Sequence, residues 1–331
     1  MTSSSVIDWS RFCELIRLHE RFVLTTHMRP DCDALGSELG MADILISLGK
    51  QVKIVNGDGV PPHLRFIDPE QRIRQLHTDI TPADLAHDQV LLVLDTSAWG
   101  QLGPMADVMK QWLGIKMVLD HHASQDEMGA EMFKNVKAEA TGRLVCEAGE
   151  QLGAPLPEKT AFPLLAAITT DTGWFRFSST TGETLRVAAR LLDAGARPEA
   201  LYRQLYEQDS LARLHLFGRV LARTVSEVDG RLIHISVLAD DFAATGALSS
   251  DTEDLINFTL KVRGTEVAII FIEVSPETFK VSFRSRSHVD VSKLAERFGG
   301  GGHRQAAGST VRGPLADVQA RVLAAARETL L

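Results

Sequence analysis

Three short apolar runs of this chain each end in acidic and imidazole side chains, and this repeated pattern limits the possible folds more than any other feature. The runs are Arg21–Thr26, Val90–Leu94 and Lys116–Leu119, and the polar side chains that follow them are His27, Asp31 and Asp33, then Asp95, then Asp120, His121 and His122. Apolar runs of this length are typical of buried strands. Ionisable groups beside a buried strand cost free energy unless they are paired or bind a metal. The pattern therefore predicts an open α/β sheet with a site at the carboxyl ends of its strands.

The segments between these runs have helical spacing, which predicts a mostly parallel sheet flanked by helices. At 331 residues the chain exceeds the ~250 residues at which a single core usually stops growing, so two domains are expected. Three successive helical patterns follow the sheet, and from Arg231 onward the sequence becomes strand-rich. We predict a catalytic domain at 1–190, a helical linker at 191–227 and a smaller mixed α/β domain at 228–331.

The last hundred residues contain two features of interest. The runs Glu266–Val274 and Thr278–Arg286 flank Pro276 and predict a β-hairpin. After a predicted helix at Val291–Phe298, the segment Gly299–Gly308 contains four consecutive glycines followed by His303 and Arg304, and we expect it to be a loop. The predicted helix Ser210–Glu227 leads into this domain.

The composition excludes several classes of protein. A formal net charge of −8 argues against a protein that binds long nucleic acid electrostatically. No apolar run is long enough to span a membrane. The three cysteines, Cys13, Cys32 and Cys146, are scattered without a CxxC pair, so neither a disulfide framework nor a zinc knuckle is expected. A reducing, cytoplasmic environment fits this usage best.

The polar residues at the strand ends form a mixed carboxylate and imidazole set, to which Asp171 adds a further acid after a predicted helix at Thr160–Thr170. Crowded carboxylates repel one another unless a cation or a proton separates them. Such a set suits Mn²⁺, with Mg²⁺ as the alternative, and it is large enough for two ions roughly 3.5–4 Å apart. The alternative is that Asp31 and Asp33 merely cap the next helix.

The motifs His27-x-x-x-Asp31-x-Asp33, Asp95, Asp120-His121-His122 and Asp171 occur in the order found in the DHH phosphoesterase family, which the chain therefore resembles. The glycine run with His303, together with Arg284 and Arg286, resembles the DHH-associated C-terminal domain of the family's nanoRNase and PAP phosphatase branch. The resemblance implies that His27, Asp31 and Asp95 bind one metal ion. It implies Asp33, Asp95, His121 and Asp171 on the other ion, with Asp95 bridging.

The remaining candidates are assigned from their chemistry. His122 can donate a proton to the leaving oxygen or hold a phosphate oxygen, the alternative being a hydrogen bond that orients a ligand. Asp120 is expected to orient the histidines. Glycine backbone N–H groups and arginine side chains are suited to phosphate. The predicted substrate-binding residues are Arg284, Arg286, Gly301, Gly302, His303 and Arg304.

These observations predict a manganese-dependent phosphoesterase that hydrolyses short oligoribonucleotides and acts on 3′-phosphoadenosine 5′-phosphate (PAP), with the active site in the cleft between the domains. If the C-terminal residues recognise a terminal phosphate, only short substrates fit. Hydrolysis of cyclic or linear dinucleotides is the main alternative, and inorganic pyrophosphatase activity or a catalytically silent nucleotide-binding protein is less favoured. The sequence leaves the oligomeric state open, including a homodimer.

Overall fold

The computed structural model describes residues 7–154 and 156–330. By internal packing the chain divides into two compact units, Met1–Gln208 and Asp209–Leu331. The boundary between the units lies within the predicted linker, whereas the predicted domain bounds and the predicted site between the domains stay predictions. Within the described ranges, no helix combines the length and the apolar character needed to cross a bilayer.

The first unit is built on a six-stranded sheet in which every neighbouring pair of strands is parallel. This confirms the predicted α/β class. The strand order is β3-β2-β1-β4-β5-β6. The strands are β1 Arg21–Thr25, β2 Gln51–Asn56, β3 Ile73–Gln75, β4 Val90–Leu94, β5 Ile115–Asp120 and β6 Glu131–Lys134.

Register places the polar strand ends together. Thr25 of β1 pairs with Val93 of β4, and Leu94 of β4 pairs with Leu119 of β5. The backbone N–H of Asp95 continues the ladder by donating to the Leu119 carbonyl at 3.1 Å. The residues that follow β1, β4 and β5 therefore leave the sheet side by side, because parallel strands end at one edge.

Helices cover both faces of this sheet. The helices of the first unit are α1 Trp9–Leu18, α2 Cys32–Ser47, α3 Met105–Gln111, α4 Thr141–Leu152, α5 Glu158–Asp171, α6 Gly182–Asp193 and α7 Pro198–Tyr206, with short 3₁₀ turns at Pro62–Ile67, Pro82–Leu85 and Trp99–Gln101. Phe22 and Leu24 of β1 pack in a core with α2, α4 and α5. Val23 faces the opposite way, into a core that includes Met105 and Met109 of α3. Because β1 is buried on both faces, its sequence is a continuous apolar run.

Two glycines let α2 pack directly against α5. A Cβ atom at Gly36 would lie 2.2 Å from the carbonyl oxygen of Pro163 in α5, and one at Gly40 would lie 2.6 Å from a methyl carbon of Leu164. Because α2 carries Asp33 and α5 ends at Asp171, this close approach helps to bring two predicted ligands to one place.

We therefore expect Gly36→Ala to lower the free energy of unfolding by about 1–3 kcal/mol, because the new methyl group meets backbone atoms that cannot rotate away. Gly218→Ala is a matched control, since an added Cβ there meets no atom within 4 Å. Gly218 lies in a helix of the second unit, so alanine should stabilise by roughly 0.5–1 kcal/mol. Urea denaturation measures both changes, and a neutral Gly36→Ala variant would contradict the tight packing of α2 on α5.

The second unit contains a mixed six-stranded sheet of order β11-β12-β10-β9-β8-β7. Its strands are β7 Val225–Glu227, β8 Leu232–Val237, β9 Val267–Ser275, β10 Thr278–Ser285, β11 Gly301–His303 and β12 Ala306–Arg312. Its helices are α8 Leu211–Leu221, α9 Ala239–Thr245, α10 Leu255–Thr259, α11 Val291–Glu296 and α12 Leu315–Glu328, with a 3₁₀ turn at Ser249–Thr252. β9 and β10 pair in antiparallel fashion, which confirms the predicted hairpin.

Two sequence predictions for this unit are wrong. The helix expected at Ser210–Glu227 ends at Leu221, and Val225–Glu227 pairs with β8 as a strand instead. The glycine segment is not a loop, because Gly301–His303 pairs with Ala306–Gly308 of β12. A Cβ at Gly300 would lie 2.1 Å from the Gly308 carbonyl oxygen. Glycine is thus needed for close strand packing here, a role that composition alone does not distinguish from flexibility.

Candidate metal centre

The structure gathers the predicted metal ligands at the carboxyl edge of the parallel sheet. Asp95 is the first residue after β4, Asp120 is the last residue of β5, and Asp171 is the last residue of α5. His27 and Asp31 lie in the turn between β1 and α2, and Asp33 is the second residue of α2. His121 and His122 directly follow β5. Up to about 140 positions separate the four motifs in the chain. They meet because each motif lies at the end of a strand of this sheet or at the end of a helix that packs on the sheet.

One group of side chains that could hold a cation consists of His27, Asp31 and Asp95, whose potential ligand atoms all lie within 4.8 Å of one another. The Nε2 atom of His27 is 3.5 Å from Asp95 Oδ2 and 4.0 Å from Asp31 Oδ1. Asp95 is almost fully buried, whereas the Asp31 side chain is 60% exposed. This group is therefore open to solvent on its Asp31 side.

A second such group consists of Asp33, His121 and Asp171. The Nε2 atom of His121 is 3.6 Å from Asp33 Oδ2, 3.4 Å from Asp171 Oδ2 and 3.5 Å from Asp95 Oδ1. Asp95 thus approaches both groups, with one carboxylate oxygen toward each histidine. A third combination, Asp95 with His121 and His122, also has closely spaced ligand atoms.

Backbone hydrogen bonds fix the Asp33 carboxylate. Its Oδ2 accepts from the N–H of Thr141 at 2.7 Å, and its Oδ1 accepts from the N–H of Gly142 at 2.8 Å. These N–H groups open helix α4 and have no partner within the helix, so a carboxylate is favourable there. Gly142 also permits close packing, since a Cβ at this position would lie 2.5 Å from the Cβ of Ala167.

Asp31 does cap a helix, as the alternative interpretation required. Its Oδ1 accepts hydrogen bonds from the backbone N–H groups of Asp33 and Ala34 at the start of α2. Capping and metal binding are compatible, because a carboxylate has several acceptor positions on two oxygens. The cap also fixes the turn that presents His27 and Asp33.

The backbone of Asp95 is in the left-handed region, with φ of 63°. Non-glycine residues adopt this conformation rarely, and it often marks a functional position. The Thr141 hydroxyl donates to Asp95 Oδ1 at 2.9 Å, so the carboxylate is held in place by the same turn that binds Asp33. Thr141 was not singled out from the sequence, where it only marks the start of a helix.

The two histidines have the tautomer that suits a metal ligand. Nδ1 of His27 donates to the Met28 carbonyl at 3.0 Å, and Nδ1 of His121 donates to the Ala138 carbonyl at 3.2 Å. Each Nε2 then carries a lone pair directed toward carboxylate oxygens. Within the described residues, the buried Nε2 of His121 has no hydrogen-bond partner. A lone pair facing carboxylates is unfavourable without a cation, so the residues fit a divalent metal.

The electrostatics of the carboxylates agree with this fit. Burial raises the pKa of both Asp33 and Asp95 well above the usual range, and neighbouring aspartates raise it further. Burial, with the charge of Asp31, raises the pKa of Asp171 to about 7. Burial also lowers the pKa of His121, which keeps the ring neutral. A cation would offset the repulsion that these shifts reflect.

Asp120 lies behind the ligands in a separate hydrogen-bond network. Burial by itself would raise its pKa, but hydrogen bonds from His122 and Ser97 and the charge of Lys134 lower it to about 2. Lys134 Nζ is 3.1 Å from Asp120 Oδ2, and the Ser97 hydroxyl donates to the same oxygen at 2.7 Å. Neither Lys134 nor Ser97 was selected from the sequence. Lys134 lies on β6, a short strand without a clear apolar run, and Ser97 lies in the loop that follows β4.

His122 is positioned by Asp120. Its Nδ1 donates to Asp120 Oδ1 at 2.8 Å, and its backbone N–H donates to the same oxygen at 3.0 Å. The hydrogen bond with Asp120 raises the pKa of His122, and the side chain is 44% exposed. His122 therefore has an accessible ring, a fixed tautomer and an increased tendency to carry a proton.

A cleft of about 530 Å³ opens beside Asp31. Arg29 and His63 contribute polar groups to its lining, and Pro61 and Leu64 contribute apolar surface. Its size is in the range of small-molecule sites. Arg29 has a φ of 53° and is held by a hydrogen bond from its backbone N–H to Asp58. Nothing in the sequence distinguishes Arg29 from other exposed arginines.

In the second unit, register places His303 and Arg284 on the same face of the sheet. His303 of β11 and Arg284 of β10 each pair with Ala306, which lies on β12 between them. Residues directly opposite one another point to the same side of a sheet, so the two side chains lie about 10 Å apart across Ala306. Gly301 and Gly308 occupy the next pair on this face, which leaves space above the backbone.

The other predicted substrate residues lie at the edges of this face. Arg286 comes just after the end of β10, and its exposed side chain is not on the strand as predicted. Arg304 lies in the turn between β11 and β12, where its guanidinium donates to the His288 carbonyl. Gly302 has φ of 144°, and a Cβ there would lie 2.6 Å from Ala307 Cα.

Comparisons with known proteins agree with the geometry. A model of the DHH family N-terminal domain matches residues 21–168, and a model of the DHHA1 domain matches residues 234–330. The first match spans the parallel sheet and the strand-end motifs, and the second includes the strands that carry Arg284 and His303. The resemblance inferred from the sequence is therefore confirmed.

Relatives resemble the chain over most of its length. A bifunctional oligoribonuclease and PAP phosphatase, NrnA, from Thermus thermophilus is 34% identical over 309 residues, covering 93% of this chain and 89% of the relative. The protein of the same name from Bacillus subtilis is 27% identical over 306 residues, covering 90% of this chain and 92% of the relative. Both alignments therefore include the two units.

The fold is also found in a solved structure. The crystal structure of an exopolyphosphatase-related protein from Bacteroides fragilis has a TM-score of 0.83 and covers 100% of this chain and 97% of that chain. Its sequence identity is 24%. This likeness confirms the mixed α/β architecture.

Proposed function

The chain belongs to the DHH family, and from this membership we propose that it is a metal-dependent phosphoesterase that hydrolyses short oligoribonucleotides to mononucleotides and PAP to AMP. The observation that carries the proposal is the meeting of five potential ligands, from three separate motifs, around one nearly buried carboxylate, that of Asp95. The two named relatives supply the substrate class.

We assign His27, Asp31 and Asp95 to one divalent cation and Asp33, Asp95, His121 and Asp171 to a second. The spacing of the two side-chain groups and the approach of Asp95 to both histidines support this assignment. Carboxylate and imidazole ligands without a thiolate favour Mn²⁺, with Mg²⁺ as the alternative. The neighbouring Cys32 is buried, and burial raises the pKa of its thiol to about 12, so it is not suited to ligation.

When bound, two such cations lower the pKa of a water molecule and neutralise charge on the phosphoryl oxygens. The protein supplies the orientation. Thr141 and Gly142 hold Asp33 and Asp95, and the Met28 and Ala138 carbonyls fix the two histidine ligands. His122, fixed by Asp120 through Nδ1, keeps Nε2 for a proton donated to the leaving oxygen or a hydrogen bond to phosphate.

We propose that the second unit binds the substrate through the sheet face that carries Arg284 and His303. Small residues between these side chains leave room for a phosphate, and the fixed register holds the two cationic or hydrogen-bonding groups apart at a constant distance. Arg286, Arg304 and the backbone N–H groups of Gly301 and Gly302 lie around this face and would add contacts. A cytoplasmic location and short nucleotide substrates complete the proposal.

A substrate panel tests the proposed function. With Mn²⁺, the wild-type protein is expected to hydrolyse pApA and PAP, and to act poorly on pyrophosphate and on a long single-stranded RNA. Product formation is followed by chromatography. Turnover of cyclic di-AMP in preference to pApA would favour the dinucleotide alternative. Pyrophosphate as the sole substrate would contradict the nucleotide assignment.

The role of the second unit is tested by His303→Ala, for which we expect an increase in KM for pApA of about 10-fold, because one charge-assisted contact to phosphate is worth about 1.5–3 kcal/mol. His215→Ala is the matched control, since His215 is exposed on α8 of the same unit. The two variants should have equal melting temperatures. An unchanged KM in His303→Ala would remove this residue from the proposed substrate site.

A further inference from the structure

The two tyrosines of the chain lie one helical turn apart on α7, and both contact the same tryptophan. The ring centroid of Trp174 is 5.0 Å from that of Tyr202 and 5.9 Å from that of Tyr206, and the two tyrosine rings are 5.0 Å apart. Tyr202 is 44% exposed and Tyr206 is 47% exposed. We call these three rings the aromatic cluster. The two tyrosine rings are exposed to solvent, and the Trp174 ring is partly buried against the core of the first unit.

The aromatic cluster lies next to the end of α5, where the candidate ligand Asp171 is the last residue. Trp174 follows Asp171, the ligand at the end of α5, by only three residues. Aromatic rings close to a ligand of a proposed phosphoesterase centre are suited to contact a nucleotide base.

The chain around Trp174 is held in an unusual conformation. Gly173, Trp174 and Phe175 all have positive φ, at 54°, 58° and 61°. Hydrogen bonds lock the turn, since the N–H of Trp174 donates to the Thr169 carbonyl at 2.7 Å and the N–H of Phe175 donates to the Thr172 hydroxyl at 3.1 Å. A positive φ at a non-glycine residue costs free energy, so two successive residues in this region are uncommon. The turn carries Trp174 away from the axis of α5 and against the tyrosines.

The turn also supplies positive charge. Arg176 is exposed, and its Nε donates to the Gly173 carbonyl at 2.7 Å, which ties the guanidinium to the same turn. Aromatic faces with a neighbouring arginine are the combination that binds the base and the phosphate of single-stranded nucleic acid. Packing alone would not require two tyrosines with half of their surface in solvent.

We propose that Trp174, Tyr202 and Tyr206 form a stacking surface for the base that adjoins the scissile phosphate. The inference rests on the proposed function and adds to it a specificity element in the first unit. Stacking tolerates every base, because each base has a π face. The surface therefore accounts for degradation of oligonucleotides of mixed sequence and for binding of the adenine of PAP at one site.

Steady-state kinetics with pApA provide the first test. Tyr206→Leu and Trp174→Leu are each expected to raise KM about 10-fold with kcat within a factor of two, in line with the loss of one base-stacking contact. Tyr206→Phe, which keeps the ring, should stay within a factor of two of the wild type in both parameters. An equal effect of the phenylalanine and leucine variants, or an unchanged KM in both leucine variants, would overturn the proposal.

Base-deleted substrates make the test specific. In two analogues of pApA, one base or the other is replaced by hydrogen. One of the two analogues lacks the base that stacks on the aromatic cluster. For that analogue, wild type and Tyr206→Leu should have the same KM. If Tyr206→Leu raises KM equally for both analogues and for pApA, the tyrosine acts on the fold or on the metal centre, which would contradict a stacking surface.

Binding of AMP without added metal gives a readout that does not depend on turnover. AMP is expected to quench the tryptophan fluorescence of the wild type and not that of Trp174→Phe, which should still bind AMP in a calorimetric titration. Quenching that persists in Trp174→Phe, or no quenching in the wild type, would overturn the proposal. If AMP quenches the fluorescence of Trp174 but the protein hydrolyses neither pApA nor PAP, the proposed function is contradicted and the stacking surface is not.

Discussion

Asp95→Asn is expected to reduce hydrolysis of pApA by at least about 1,000-fold, the largest loss of activity that any single ligand substitution should cause. Asp95 approaches the ring nitrogens of both His27 and His121 at 3.5 Å, so its carboxylate is the side chain common to the two ligand groups. An amide has only one oxygen for ligation and no charge. The loss follows because metal ions supply several kcal/mol of charge stabilisation in the transition state, and each 1.36 kcal/mol is a factor of ten.

The same substitution should stabilise the metal-free protein. Burial and the charges of Asp31 and Asp171 raise the pKa of Asp95 in the folded state. A raised pKa means that the folded protein binds this proton more tightly than the unfolded chain does, so stability falls as pH rises from the unfolded pKa through the folded one. A neutral asparagine avoids this penalty. In EDTA at neutral pH, the melting temperature of Asp95→Asn should exceed that of the wild type.

Asp107→Asn is a suitable control for both effects. Asp107 lies on α3 with its side chain 79% exposed, and its substitution should change neither activity nor melting temperature. Addition of Mn²⁺ should reverse the order of stability by raising the melting temperature of the wild type more than that of Asp95→Asn. Equal stabilisation of both proteins by Mn²⁺ would show that Asp95 does not bind the metal.

His122→Ala is expected to lower kcat for pApA about 100-fold or more, with a smaller change in KM. A positioned general acid contributes about 10²–10⁴-fold. His122 meets the requirements for this role, because its ring is 44% exposed, its Nδ1 is held by Asp120 and that hydrogen bond raises its pKa. Steady-state kinetics and Mn²⁺ titration of the variant separate catalysis from metal binding.

The Mn²⁺ affinity of His122→Ala should match that of the wild type if His122 acts on the substrate. A large loss of affinity would instead assign His122 to the metal, as the grouping of Asp95, His121 and His122 allows. A substrate with a better leaving group, such as a p-nitrophenyl ester of AMP, should be less affected by the variant than pApA, since it needs less protonation. Equal loss with both substrates would contradict a role as general acid.

The sequence predicted the parallel sheet because its strands are apolar throughout and end abruptly in polar residues. β1, β4 and β5 are buried on both faces, so their composition leaves little ambiguity. The candidate metal ligands were selected for the same reason: a carboxylate after a buried strand, such as Asp95, stands out. The resemblance to the DHH family favoured metal binding over helix capping for the aspartates. Helix capping nevertheless occurs in the structure, because Asp31 caps α2.

Features that depend on register or on long-range packing were not predictable. The glycine run was expected to be a loop, and it forms strand β11 because its neighbours on β12 approach within a distance that only glycine permits. The Lys134–Asp120 contact joins residues on adjacent strands, one of which is too short to recognise from its sequence. The aromatic cluster depends on a turn in which Trp174 and Phe175 have positive φ, and neither residue type predicts this backbone conformation.

We propose that Asp95 is a ligand of both divalent cations. Electron paramagnetic resonance of the wild-type protein loaded with Mn²⁺ tests this proposal, because ions roughly 3.5–4 Å apart are magnetically coupled. We expect two Mn²⁺ per chain and a coupled spectrum in the wild type, and the spectrum of isolated Mn²⁺ in Asp95→Asn. A wild-type protein that binds a single Mn²⁺, or two ions without coupling, would contradict the account.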